Sequence, residues 1–262
     1  MAELAALLQA QGIDATTLAL TLSRGDERIY ELAVPPHEML ERWKALRDFA
    51  PATGHWPVLG WGTRWLDNVP EYRARVESGS TAEILAESER GDLARWRQER
   101  IDEDLALLRE DAVEYGLEEP NDPFADVQGD WPKGIAPYTS FKTARSNEVR
   151  EPISPLPIAL IPTTVSWQAP AYLRFDAGFI SPAIHTAMAR RWHEQSDAEI
   201  IGAFPDMLEM LVSRPPLTRE DAVDLAREQY IYCNDIVSQG TGTLQALAAG
   251  LLGGTAWFFW WD

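Results

Sequence analysis

The 262-residue chain carries a formal charge of −18, is 45% hydrophobic, and holds eleven tryptophans but a single cysteine. One thiol excludes an intramolecular disulfide framework and a Cys-based zinc cluster and suits a reducing cytoplasm, while so large a negative charge argues against binding nucleic acid through its phosphates. The apolar content suffices for a real core in one large domain or two small ones, and the tryptophan surplus belongs either to that core or to a binding face.

Ala2–Gln11 predicts a short amphipathic helix ended by Gly12, without the basic flank and sustained apolar core of a secretory signal. Thr16–Ser23 and Arg28–Val34 are β-prone runs on either side of Arg24-Gly25-Asp26-Glu27, the pattern of a hairpin. The Arg-Gly-Asp triplet therefore reads as turn chemistry. Pro35-Pro36 opens a helix to about Ala50, with Met39, Leu40, Trp43, Leu46 and Phe49 on its buried side, and Trp56–Trp61 follows as a strand. The first part of the chain thus predicts an α-β-β-α-β unit.

Residues 67–116 have a different character. Leu93, Trp96, Ile101, Leu105, Leu108 and Ala112 form an imperfect helical stripe in a dense mixture of Glu, Asp and Arg. Such a run is either a solvated helix face laced with i,i+4 ion pairs, or an acidic docking surface made by Glu99, Asp102, Glu103, Asp104, Glu110, Asp111 and Glu114, continued by Glu118 and Glu119. Region 117–157, broken by Pro, Gly, Asn and Asp, reads as an extended connection pinned to the body by Trp131, Tyr138 and Phe141. It separates an N-terminal α+β region with charged helices, 1–116, from a C-terminal α+β domain, 158–262.

In the C-terminal part Ile158–Thr163 is a strand and Ala171–Phe175 a further strand candidate; Ser181 or Pro182 starts a helix with Ile184, Met188 and Trp192 on one stripe. Glu199–Phe204 and Met207–Ser213 form a hairpin about Pro205-Asp206. Thr218 caps a helix whose small or apolar face carries Ala222, Leu225, Ala226, Gln229, Tyr230 and Cys233. Gly240 and Gly242 permit a turn, Thr243 caps Leu244–Leu251, and Gly253-Gly254 ends that helix. Trp257–Trp261, apolar on both faces, predicts a strand in the middle of a sheet rather than at its edge. Although Leu244–Trp261 is nearly free of charge, glycines interrupt it and it lacks basic flanks, so no membrane role is expected. The expected fold class is α+β: antiparallel or mixed sheets with helices packed on one face, and a long charged helical insertion in the N-terminal half.

No P-loop, Rossmann fingerprint, GxSxG elbow or HExxH motif occurs. His185 and His193 fall roughly 12 Å apart along one helix, too far to share a metal, and neither a metal nor a cofactor is expected. Cys233 is either a buried structural thiol or a nucleophile activated by a distant His. Glu209, Glu228, Asp235 and Asp262 keep company that can partly bury and pKa-shift acid–base groups, or else they pair with Arg174, Arg191 or Arg214 or cap the following turn. A catalytic site would draw on Glu228, Tyr232, Asp235 and Gln239, around a cleft where the last helix pair meets the closing strand.

Glu228-Gln229-Tyr230, Tyr232-Cys233, Asp235, Gln239-Gly240 and the closing Trp257-x-Phe259-Trp260-Trp261-Asp262 together resemble the C-terminal signature of the domain of unknown function 4253 family, found mainly in actinobacteria. The resemblance reaches back to Trp192, Glu209 and Arg214-Pro215-Pro216, and more loosely to Trp43, Leu46-Arg47 and Thr53-Gly54-His55-Trp56-Pro57-Val58. It implies a fold and no reaction. The chain departs from the family pattern at Gly178-Phe179-Ile180-Ser181-Pro182, where Trp-Asn and Cys-Pro pairs are expected, and at Ser196-Asp197, where Tyr-Gly is expected. A polar site built from those positions in relatives would be altered here.

Three readings follow as expectations, the plainest of them a scaffold with no ligand of its own. The first is an acidic cytoplasmic protein-binding module that docks a basic protein partner through its charged face and exposed Trp or Tyr, as an immunity protein docks a toxin. The second is a small hydrolase-like enzyme using the carboxylate and tyrosine site of the C-terminal domain.

Overall fold

The Arg24–Glu27 turn closes as its chemistry predicts. Gly25 takes a φ of 55°, a left-handed conformation that costs glycine least, and strands β1 (Ala19–Arg24) and β2 (Glu27–Val34) pair antiparallel across it. The computed structural model describes residues 1–68, 70–118, 120–141 and 156–262. Helix α1 (Ala2–Ala10) precedes the hairpin, and α2 (Met39–Thr53) follows one 3-10 turn after it. Met39, Trp43, Leu46 and Ala50 are the buried side of α2, close to the predicted stripe. Strand β3 (Trp56–Leu59) comes next, and then the charged insertion: α3 (Thr63–Asn68), α4 (Pro70–Glu77), α5 (Thr81–Arg90) and α6 (Leu93–Tyr115). The C-terminal part contains β4 (Leu156–Ile161), α7 (Ala169–Leu173), α8 (Pro182–Ser196), β5 (Ala198–Phe204), β6 (Met207–Val212), α9 (Arg219–Tyr232), α10 (Leu244–Leu251) and β7 (Ala256–Trp260).

The seven strands form one mixed sheet in the order β1-β2-β4-β3-β5-β6-β7. Only β3 and β5 are parallel neighbours; every other pair is antiparallel. Because β4 inserts between β2 and β3, the 1–116 and 158–262 parts of the sequence share this sheet. The α+β class stands, and the charged helices are an insertion between two strands that lie side by side. At the centre, all four β3 residues and Ile158–Ile161 of β4 are buried. Much of the 117–157 connection, from residue 142 to 155, lies outside the described residues.

Two expectations need correction. Ala171–Phe175 is no strand: Ala169–Leu173 forms α7, with Pro170 in its first turn, and Arg174 turns the chain out of it at a φ of 52°. A short apolar run reads the same in a strand and in a buried helix turn. Nor is β7 central, for it ends the strand order. One face is buried against Trp192 and Tyr232, and part of its edge is covered. The Ala256 N–H donates to the Tyr138 carbonyl (3.0 Å) and the Tyr138 N–H to the Gly250 carbonyl (2.8 Å), so the connecting segment shields the last strand. This is one of the ways sheets protect an exposed ladder.

The tryptophan surplus sits mostly in the core. Trp43, Trp56, Trp61, Trp192, Trp257 and Trp261 are buried. A buried indole needs an acceptor for its N–H, and four find one: Trp43 the Pro57 carbonyl (2.9 Å), Trp56 the Ile200 carbonyl (3.0 Å), Trp61 the Tyr72 hydroxyl (2.7 Å), and Trp192 the Glu228 carboxylate (2.6 Å). Trp192 also stacks on Phe259 at 5.1 Å and meets Trp257 edge-on, fastening α8 to β7. Elsewhere, a cluster of charged and polar side chains ties β1, α5 and α7 together. Arg24 and Arg174 each donate to Thr81 Oγ1 at 2.9 Å, and Glu27 accepts from both Arg24 and Thr81. Burial lowers the Arg174 pKa to about 10.

Candidate functional sites on α6 and beside β7

Asp92 caps α6 by accepting the Arg95 N–H, and Gly116 ends the helix at a φ of 67°. Of its 23 residues only Ala112 is buried. What anchors the helix is Arg97, whose Nη1 lies 3.0 Å from the buried Glu228 carboxylate, helped by the partly buried Leu93 and Trp96 against the core.

The predicted acids line its outer side. Glu99, Asp102, Glu103, Glu110, Asp111 and Glu114 are exposed, whereas Asp104 is half-buried and its pKa is raised by that burial. The two readings of the charge run divide the helix. Its first half carries the helical pairs Arg95–Glu99 (2.8 Å) and Arg100–Glu103 (3.4 Å). In the second half, Glu110, Asp111 and Glu114 make no ion pair among the described residues. The same half exposes large apolar side chains, Leu107 at 60%, Val113 at 68% and Tyr115 at 69%, and Leu117 just beyond its end is 67% exposed. By helical spacing, Leu107, Glu110, Asp111 and Glu114 fall on one stripe, with Val113 and Tyr115 beside it. No described tryptophan is among the exposed large side chains; of the aromatics expected on a docking face, only Tyr115 is there.

The four catalytic candidates do not share a cleft. Glu228, 6% exposed, accepts from Trp192, from Arg191 at 3.0 Å and from Arg97 at 3.0 Å. It faces a cleft of about 630 Å³ lined also by Arg214, Pro215 and Leu225. Tyr232 is fully buried among Trp192, Phe259 and Trp261, and burial raises its pKa well above the ordinary phenol value. Its hydroxyl lies 2.5 Å from His185 Nδ1, while His185 Nε2 lies 3.1 Å from the Ala177 carbonyl. A carbonyl only accepts, so Nε2 carries the proton and Nδ1 accepts from Tyr232. Burial lowers the His185 pKa to about 3, keeping the ring neutral. Asp235 and Gln239 do come together: Asp235 accepts from Gln239 Nε2 at 3.0 Å and from the Asp262 N–H at 3.1 Å.

Cys233 is 1% exposed, donates to the Trp260 carbonyl, and is pushed up to about 12 by burial. These are the properties of an inert structural thiol. Glu209 is also buried, within β6 opposite Phe258.

Gln239 lines a second cavity of about 470 Å³ beside β7, with Gln229, Trp257 and Trp260. Sequence reasoning named neither Gln229 nor Trp257 as a site residue. The available signal was a glutamine on an otherwise small and apolar helix face.

Residues 157–262 match the Domain of unknown function (DUF4253). The matched residues are the C-terminal part of the chain. The match takes in β4 to β7, both sides of the Trp192–Phe259 stack and most of the second cavity; α6 lies outside it. Neither the curated proteins nor the solved structures contain a match to the chain. No helix among the described residues is long and apolar enough to cross a membrane.

Proposed function

We propose that the protein is a binding module that docks a basic protein partner on the outer face of α6. The observation that carries this reading is the C-terminal half of that helix, where Glu110, Asp111 and Glu114 lie between the exposed Leu107, Val113 and Tyr115, with Leu117 just beyond. A helix face that served only solubility would be polar throughout, whereas large apolar side chains held in water beside unneutralised acids suit a partner that brings Lys or Arg around an apolar centre. Charge complementarity also sets the occupant: two copies of so acidic a face repel each other.

The test is capture of partners from host lysate by the whole chain, followed by crosslinking and mass spectrometry. Two variants run alongside, Leu107→Ser/Tyr115→Ser and Glu110→Gln/Asp111→Asn/Glu114→Gln. The reading requires a basic protein, crosslinked to residues 99–118 and lost from both variants. A partner that crosslinks elsewhere and binds both variants equally contradicts it.

A further inference from the structure

The cavity beside β7 is bounded by the Tyr138–Ser140 segment, Gln229 of α9, a π-helical turn at Ile236–Thr241, Leu247 and Leu251 of α10, and Trp257, Phe258 and Trp260 of β7. Its walls are closely fitted. A Cβ on Gly250 would lie 2.1 Å from Tyr138 Cζ, and one on Gly240 would lie 2.9 Å from Trp260 Cη2, so two of the aromatic walls seat directly on glycines. Single π turns of this kind recur at functional sites.

Two of the side chains lining it are donors without acceptors. Gln229 is 2% exposed and Trp257 1%, and among the described residues neither Gln229 Nε2 nor Trp257 Nε1 has a hydrogen-bond partner. Among the other buried indoles, Trp43, Trp56, Trp61 and Trp192 have theirs, while Trp261 Nε1, outside the cavity lining, has none among the described residues. A buried donor left unmade costs free energy, which an acceptor in the cavity would recover.

We propose that this cavity binds a small uncharged molecule with a flat apolar body and a carbonyl oxygen, the oxygen accepting from Gln229 Nε2 and Trp257 Nε1. The lining fixes the chemistry. Both orphan groups donate, so the ligand must bring lone pairs. No charged residue is among the described residues that line the cavity, so an anion buried there would find no counter-charge among them. Aromatic and aliphatic walls around a few polar groups are the usual make-up of a small-molecule site, and 470 Å³ falls within the usual size range.

Isothermal titration of the whole chain with naphthalene-2-carboxamide and with naphthalene-2-carboxylate separates the possibilities. The amide is expected to bind and the carboxylate to bind at least tenfold more weakly. Gln229→Leu and Trp257→Phe, which remove the donors but keep apolar bulk, should each weaken the amide about tenfold, the loss of one hydrogen bond of roughly 1.4 kcal/mol. If Trp257→Phe fails to fold, Leu247→Phe replaces it, narrowing the cavity with the same expected loss. An amide that does not bind, or that binds wild type and Gln229→Leu equally, overturns the proposal, as does preference for the carboxylate.

Discussion

Trp192 at 0% exposure and Leu107 at 60% belong to two helices of one chain that are held in place by different means. Around Trp192, rings from α8, α9 and β7 pack edge to face and stacked, and the buried polar groups Glu228, Tyr232 and His185 are hydrogen-bonded to neighbours that fix their positions. Along α6 the only buried residue is Ala112, and the helix is held by Arg97, a partial apolar stripe and its own local pairs. The difference teaches where to look for function. Substitutions in the first region act on the fold; in the second the fold scarcely depends on the outward side chains, which are left free to serve a partner.

Several substitutions can break or sharpen that contrast, and the largest effect belongs to the aromatic layer. Trp192→Ala removes a large side chain from a closed core and takes a donor from Glu228; it is expected to cost about 3–5 kcal/mol in urea unfolding. Glu228→Ala comes next, at about 3 kcal/mol, because Arg97 and Arg191 lose the carboxylate that neutralises them. It should also loosen α6, seen as faster amide exchange near Arg97.

His185 gives a smaller, pH-dependent effect. Its pKa lies at about 3 in the folded chain against 6.5 when unperturbed, so below pH 6.5 the unfolded chain takes up a proton that the folded chain refuses. Its share of the stability is therefore fully present above pH 6.5 and falls by about 1.4 kcal/mol per pH unit down to about 3. His55, also lowered by burial, adds to the fall in the same direction. Comparing urea midpoints of wild type and His185→Gln from pH 7 to 4.5 isolates the His185 share, and the variant should show the shallower slope.

The smallest effect is expected on α6. Glu110→Gln, Asp111→Asn and Glu114→Gln should each change stability by less than about 0.5 kcal/mol, as exposed charges generally do. A loss of several kcal/mol from this triple substitution would place α6 among the structural elements and erase the contrast.

Much of this was legible beforehand because it rests on local chemistry. The Gly25 hairpin, the Thr218 and Thr243 caps, the Trp192 stripe and the β5–β6 hairpin all declare themselves within a few residues. What escaped was non-local. Insertion of β4 between β2 and β3 leaves no periodic trace, and β7, apolar on both faces, reads as a central strand unless the Tyr138 segment covering part of its edge is known. The acids of α6 could be named from composition. That the stripe of Leu107, Glu110, Asp111 and Glu114 faces solvent depends on which side of the helix Arg97 turns toward Glu228. The orphan donors of Gln229 and Trp257 were out of reach, since a missing partner is a property of packing.

The docking claim is tested most directly by hydrogen–deuterium exchange on the whole chain, alone and mixed with the basic protein it captures, at low and high salt. The account predicts protection confined to residues 99–118, weakened by added salt and absent in Glu110→Gln/Asp111→Asn/Glu114→Gln. Protection that falls elsewhere, or that persists unchanged in the triple variant, would contradict it.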